Sequence, residues 1–261
     1  MISIVIRNKN EAKALENILS IITTVYSEDF AEIIIVDNNS TDNSVEIALN
    51  YNCRVVSIQD FTYGKATNLG IESALSKYVL LLSAHAIPVG KSFFKNTMYT
   101  LENTENIGGI RYINSMENYN RALKNNFRVI EPLKFGLMTG CALVNKEVWE
   151  KHKFNEDLPF SEDKEWSERV FINGFQILDL NETFFYFISR DSKSSLSRLK
   201  NETLSEYLLH KKKFPSIFII FASFFKKIIF TNTKFFFKSM FFDFLILKAK
   251  IQIHSKLKEK V

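Results

Sequence analysis

Two adjacent acids, one strand-end aspartate and one strand-end histidine hold the chemistry legible in this chain. Glu162 and Asp163 stand side by side after Pro159 and Ser161 in "LPFSEDKEWSERVFINGFQI". An aspartate in the first turn of a helix is stabilised as the anion and is ready to accept a proton. Neighbouring helical residues point about 100° apart, so the two acids cannot share one task. Plain capping of the helix, with Ser161 as cap, is the blander reading. Asp37 closes the apolar run "EIIIVD" and opens "NNSTDNS". Its carboxylate could accept hydrogen bonds from a base or ribose, or simply hold a turn. Arg7 and Glu11 flank the same region, and Glu11 could equally begin its helix. In "YGKATNLG", Lys65 could meet a phosphate as a point charge, or lie solvated on a helix face. "VLLLSAHAIP" ends on Ser83, suited to a ribose or phosphate, and His85. That histidine is either a hydrogen-bonded structural residue or a metal ligand, and its nitrogen suits manganese better than magnesium.

Alternating strands and helices position these residues. "ISIVI", "EIIIVD", "RVVSI" and "YVLLLS" read as strands apolar on both faces. Helical periods separate them, as in "NEAKALENILSIITTVY" and "GKATNLGIESAL". This is the pattern of a mostly parallel, Rossmann-like α/β sheet covered by helices. Ligands bind such sheets beyond the carboxyl ends of the strands, so Asp37 and Ser83–His85 should face one crevice. Further on, "SFFKNTMYTLE" reads as a helix and "NIGGIRYI" as a strand, while residues 114–135 are poorly patterned and read as a mobile flap. "FGLMTGCALVNKEVWEKH" reads as strand then helix. Trp166 and Arg169 follow the acid pair, as a core residue and as an i,i+4 partner of Glu165.

The order of motifs resembles a family 2 glycosyltransferase of the GT-A fold. "SIVIRNKNEAKALENIL" is similar to its opening strand and Asn-Glu turn, "EIIIVDNNSTDNS" to its nucleotide-binding strand end, and "YGKATNLGIESALSKYVLLLS" to the approach to its metal motif. "LPFSEDKEWSERVFINGFQI" resembles its acid-pair helix, and the likeness covers about residues 1–190. The resemblance implies a pyrimidine contact for Asp37 and a place in the donor crevice for Asn68. It assigns the base to Asp163, with Glu162 orienting or contacting the acceptor, and displacement with inversion at the sugar. The family generally holds a divalent cation, Mn or Mg, with an Asp-x-Asp at the fourth strand end. Here the triplet is Ser83-Ala84-His85, leaving His85 as the metal candidate. The family's later histidine is also missing from "ETFFYFISRDSKSS", where Arg190 could serve the diphosphate electrostatically. The implied function is transfer from a nucleotide-sugar donor to a saccharide or lipid-linked acceptor in cell-surface polysaccharide synthesis. The two departures leave open a nucleotide-sugar-binding protein with weak or no transferase activity.

Composition sets the domains. The 261 residues are 46% hydrophobic and carry a net +5. From Lys211 onward there are twelve lysines against Asp243 and Glu259, a local +10 that leaves residues 1–210 at −5. Twelve of the 25 phenylalanines fall between Phe214 and Phe244. We therefore expect a glycosyltransferase-like domain over residues 1–210 and a basic, Phe-rich helical tail over 211–261. Phe214, Phe218, Phe221 and Phe225 share one helical face, with Lys227, Lys234 and Lys238 opposite if the helix runs on through Thr231–Thr233, although Phe237 and Phe241 spoil a clean division. Such a helix suits the headgroup layer of an anionic membrane, or else packs on the domain as a hairpin. The acidic body and the excess of Phe over Arg argue against nucleic acid. No 18-residue apolar run or signal peptide is evident, so the expected location is cytoplasmic, peripheral on the inner membrane face. Cys53 and Cys141 lie far apart and read as buried, reduced thiols.

Overall fold

The apolar runs of the first half become four adjacent strands, one side of an eight-stranded sheet. The computed structural model describes residues 1–188 and 192–258. The strands are β1 (Ile2–Asn8), β2 (Phe30–Asp37), β3 (Arg54–Ser57), β4 (Tyr78–Ser83), β5 (Ala86–Val89), β6 (Ile107–Ile113), β7 (Cys141–Asn145) and β8 (Gln176–Tyr186). Their order is β3-β2-β1-β4-β7-β6-β8-β5. The first four run parallel, and β6 runs parallel to β8, while β7 and β5 are antiparallel to their neighbours. The sheet is thus mostly parallel, with two reversed strands. β5 was not apparent from the sequence. It is four residues long and contains Pro88, which an edge strand tolerates.

Alternate residues of the central strands feed two cores. Ile4, Ile6, Leu80 and Leu82 pack with Leu15, Ile18, Leu19 and Ile22 of α1 (Ala12–Val25), and with Phe93 and Phe94 of α4 (Phe93–Glu102). Val5, Val36, Val79 and Leu81 face the other way. They meet α3 (Tyr63–Ser73), Trp149 of α7 (Lys146–Lys151) and Trp166 of α8 (Glu162–Ile172). Burial on both faces is why these strands read as continuous apolar runs. Gly70 lets α3 approach β1 closely: a Cβ there would lie 2.3 Å from Val5 Cγ1. Between β2 and β3 lies α2 (Ser44–Asn50), whose N-cap Asn43 makes no side-chain cap bond, while Asp42 Oδ1 accepts from the Ser44 N–H at 3.1 Å. Cys53 and Cys141 are buried free thiols.

Residues 114–135 are not a bare flap. They form α5 (Met116–Lys124) and α6 (Pro132–Phe135), tied down by buried polar groups. Arg121 Nη2 donates to Asp179 Oδ1 at 2.6 Å, and that carboxylate is wholly buried. Arg111, 9% exposed, donates to the Phe135 carbonyl at 2.6 Å and to Asn118 Oδ1 at 2.9 Å. The pattern was illegible because polar side chains hold the segment in place of an apolar stripe.

After β8 comes α9 (Ser192–Leu209). Contacts divide the chain into two compact units, residues 1–211 and 212–261. The second consists of α10 (Ile217–Lys226), a π-helical turn (Lys227–Asn232) and α11 (Thr233–Lys258). Phe214 precedes α10 and so leaves the helical stripe that its spacing predicted. The helix does run on through Thr231–Thr233, as the end of the π turn and the start of α11. From Ser216 to Gln252 every residue is exposed. No helix among the described residues is long and apolar enough to cross a membrane.

Asp179→Asn removes the buried carboxylate that pairs with Arg121 and also acts on Arg111. Leaving a buried charge uncompensated costs about 3–5 kcal/mol. Urea denaturation should show a loss of that order, against a near-neutral control at exposed Glu150.

Candidate active site

Register brings the chemistry to one edge. Arg7 pairs with Ser83 across β1 and β4, and Asn8 with Asp37 across β1 and β2. Because β7 runs in reverse, its start lies at the edge where these strands end, and the Ser83 N–H donates to the Gly140 carbonyl at 2.9 Å. A cavity of about 340 Å³ opens there. One side is formed by Arg7, Asn8, Lys9, Glu11 and Asn38, the strand-end floor by Ser83 to His85. Thr139, Glu162 and Asp163 close the middle, and Phe61, Tyr63, Phe160, Tyr186 and Arg198 form an aromatic and basic wall.

The acid pair is fixed by Thr139 and Arg7. Ser161 adopts φ 62° and makes no side-chain cap hydrogen bond, so simple serine capping is not what orders this helix start. Its left-handed backbone turns the chain into α8 and leaves both acids facing the cavity. Thr139 donates its backbone N–H to Asp163 Oδ2 at 3.1 Å and its hydroxyl to Glu162 Oε1 at 3.2 Å. Arg7 Nη2 donates to the Thr139 carbonyl at 3.2 Å and hydroxyl at 3.0 Å, while Nη1 reaches Thr67 Oγ1 at 3.1 Å and Glu162 Oε1 at 3.5 Å. Burial, reinforced by the Asp163 charge, pushes Glu162 up to about 7 against the pull of Arg7. Burial also raises Asp163, opposed by N–H donation from Thr139 and Lys164. The helix end therefore does not outweigh desolvation, contrary to the expectation of a readily formed Asp163 anion.

His85 is answered by acid from across the cavity. Its Nε2 lies 3.2 Å from Glu11 Oε1. Glu11 thus faces the site and makes no side-chain cap bond to α1. Ser83 Oγ accepts from the His85 N–H at 3.3 Å. Among the described residues no group of three or more His, Cys, Asp or Glu could hold a metal ion. Glu11 and His85 are two donors at one corner.

Of the residues expected at the site, Arg7, Glu11, Ser83, His85, Glu162 and Asp163 meet at the cavity. Three do not line it. Asp37 is buried, with Oδ1 accepting from Asn8 Nδ2 at 3.0 Å and Ser40 Oγ at 2.6 Å, and Oδ2 from the Ser40 N–H at 2.8 Å. It builds the turn, and Asn38 faces the cavity in its place. Asn68 is saturated by the Phe154 backbone, Glu156 and Trp149 Nε1 at 2.8–3.0 Å, which makes it a structural bracket. Lys65 sits half-buried on α3, away from the lining. Arg190 lies outside the described residues. Arg169 does pair with Glu165, at 2.9 Å. Sequence reasoning missed Asn8, whose buried Oδ1 has no partner among the described residues. It also missed Thr139, the aromatic wall and Arg198. Only the aromatic content of "DFTYGK" and "LPFSED" hinted at the wall.

A mostly parallel α/β sheet with a carboxylate pair beyond its strand ends defines a GT-A-type fold and site, and comparison with known proteins agrees. The family model described as glycosyl transferase family 2 matches residues 3–171. The chain belongs to that family. None of the curated proteins matches it significantly. Among solved structures it is similar to a mannosyltransferase from Pyrobaculum calidifontis in complex with GDP-Man and Mn2+, at 14% identity and a TM-score of 0.62. That match covers 82% of this chain and 65% of the mannosyltransferase, so the chain spans just under two thirds of its length. It is also similar to glucosyl-3-phosphoglycerate synthase from Mycobacterium tuberculosis in complex with Mn2+, UDP and phosphoglyceric acid. There the identity is 18% and the TM-score 0.60, over 83% of this chain and 80% of that one.

The raised Glu162 pKa makes a stability prediction. The folded state binds this proton more tightly than the unfolded chain does. Glu162 therefore contributes stability below its ordinary value of 4.5, and the contribution is lost as pH rises to about 7. The full span is on the order of 3 kcal/mol. Urea denaturation from pH 4.5 to 7.5 should show that Glu162→Gln loses less stability over this range than wild type does.

Proposed function

We propose that the chain is an inverting glycosyltransferase that moves a sugar from a nucleotide donor to a saccharide or lipid-linked acceptor in cell-surface polysaccharide synthesis. The observation that carries this reading is the Glu162–Asp163 pair, placed in the same cavity as the ends of β1 and β4. The nucleotide occupies the side of the cavity lined by Asn8 and Asn38. Asp163 takes the proton of the acceptor hydroxyl as that oxygen attacks the sugar carbon and the bond to the diphosphate breaks. Its raised pKa strengthens it as a base near neutrality. Glu162, held by Thr139 and Arg7, orients the acceptor. A single base and direct displacement give inversion.

The Glu11–His85 corner fits a divalent cation shared with the donor. Such ions are commonly held by one or two protein donors plus substrate phosphates, and the similar structures were solved with Mn2+. Glu11 and His85 would hold it, and when bound it would offset the charge of the leaving diphosphate. Lys9 and Ser83 lie beside the same corner.

Asp163→Asn should lower kcat for transfer by about 100-fold or more, because general-base catalysis contributes that much. The dissociation constant for the nucleotide product should be unchanged in calorimetry. Equal turnover in both proteins would remove Asp163 from the role.

For the tail we propose peripheral binding to the anionic inner face of the cell membrane. The exposed Phe, Ile and Leu side chains and the lysines of α10 and α11 support this. Lysines near an anionic surface contribute about 1 kcal/mol each. Replacing Lys227, Lys234 and Lys238 with Glu in the full chain should abolish flotation with phosphatidylserine-containing vesicles, and leave the weak flotation with neutral vesicles unaltered.

A further inference from the structure

Arg198 closes the cavity from α9, and neither the motifs nor the proposed mechanism uses it. Its guanidinium carbon lies 5.5 Å from the centroid of the Phe160 ring, and its Nε donates to Glu202 Oε1 at 2.5 Å. Phe160 directly precedes Ser161 and the acid pair, so this cation sits on the wall that carries the base. Two other cations of the cavity are more committed, and Lys9 is exposed on the Glu11 side. Arg7 is spent on Thr67, Thr139 and Glu162, and His85 faces Glu11. Among the described residues the Nη groups of Arg198 make no hydrogen bond. Its counterion Glu202 is 39% exposed, so water can take over that carboxylate when Arg198 turns to another anion. The surrounding Tyr63, Phe160, Tyr186 and Ile188 reduce the screening of any charge bound there.

We infer that Arg198 is a phosphate-binding residue of this cavity. A planar guanidinium matches phosphate oxygens bidentately, and stacking on Phe160 pre-orients the fork. The anion is a phosphate group, supplied either by the donor's diphosphate or by a phosphate-bearing acceptor. Only this choice of source rests on the glycosyltransferase reading.

The test titrates UDP, GDP, uridine and guanosine into full-length wild type, Arg198→Gln, Arg198→Lys and Glu202→Gln, and then titrates inorganic phosphate onto each protein saturated with nucleoside diphosphate. If the donor is the source, Arg198→Gln binds the diphosphates about tenfold or more weakly, the loss expected for a hydrogen bond to a charged group. Nucleoside binding stays unchanged, Arg198→Lys recovers part of the loss, and Glu202→Gln binds as tightly as wild type or tighter. If the acceptor is the source, diphosphate binding is unaltered and the additional inorganic phosphate site disappears in Arg198→Gln. Unaltered binding of both anions by Arg198→Gln overturns the inference, as does weaker anion binding by Glu202→Gln. If wild type binds neither UDP nor GDP but still binds inorganic phosphate through Arg198, the nucleotide-sugar reading fails and the phosphate site stands.

Discussion

Two carboxylates placed next to each other under a protein surface repel and lose hydration, and the site depends on how that cost is met. Arg7 and Thr139 meet it together. Arg7 comes from the central strand β1, and its guanidinium reaches four acceptors on three residues. Thr139 sits at the turn into β7, so it reaches this edge only because β7 runs against β4. Remove either and Glu162 keeps its burial with one donor fewer, which costs the desolvation that donor offset. The reversed strand in a mostly parallel sheet is therefore part of the site as well as of the fold.

The same node gives the two acids different surroundings. Burial raises both, with Glu162 nearly inaccessible, while Asp163 is less covered and receives two backbone N–H groups. Groups of one type in unlike environments are a general way to obtain one proton acceptor and one orienting group, the division proposed for this pair. The aromatic wall adds to this division. Tyr63 meets Phe160 edge to face at 5.5 Å and lies 5.3 Å from the Arg7 guanidinium, so the basic node and the wall form one packed surface. Ring packing of this kind excludes water and leaves the polar contacts less screened.

Much of this was legible where local pattern and tertiary role coincide. Strands buried on both faces announce themselves as apolar runs, and Glu162–Asp163 are adjacent in sequence and remain adjacent at the site. Asp37 shows where local pattern runs out: the residue types that build an Asx-rich turn also bind a nucleotide, and only coordinates show that Ser40 and Asn8 take both oxygens. Asn68 is the same case, since a buried bracket and a ligand contact use the same amide. Thr139 could not be found at all. Its contact with Arg7 spans 132 positions, and nothing in "LMTGCALV" distinguishes that threonine from any other loop residue. Arg198 is hidden likewise, on a helix with little amphipathic pattern.

The tail obeys different physics. A globular unit hides its large apolar groups, yet here Phe218, Phe221, Phe235 and Phe241 are each more than half exposed. Exposed apolar surface on that scale supports the membrane-surface binding proposed for the tail. Charge restricts the partner. The tail's +10 against the −5 of residues 1–210 means that an anionic surface attracts one unit and repels the other. The π-helical turn matters because it adds backbone to one turn and rotates the faces of α11 relative to those of α10. A strict 3.6-residue repeat drawn from Phe218 to Phe241 therefore drifts across the turn. That accounts for the phenylalanines, such as Phe237 and Phe241, that spoil a two-sided division when the sequence is plotted as one ideal helix.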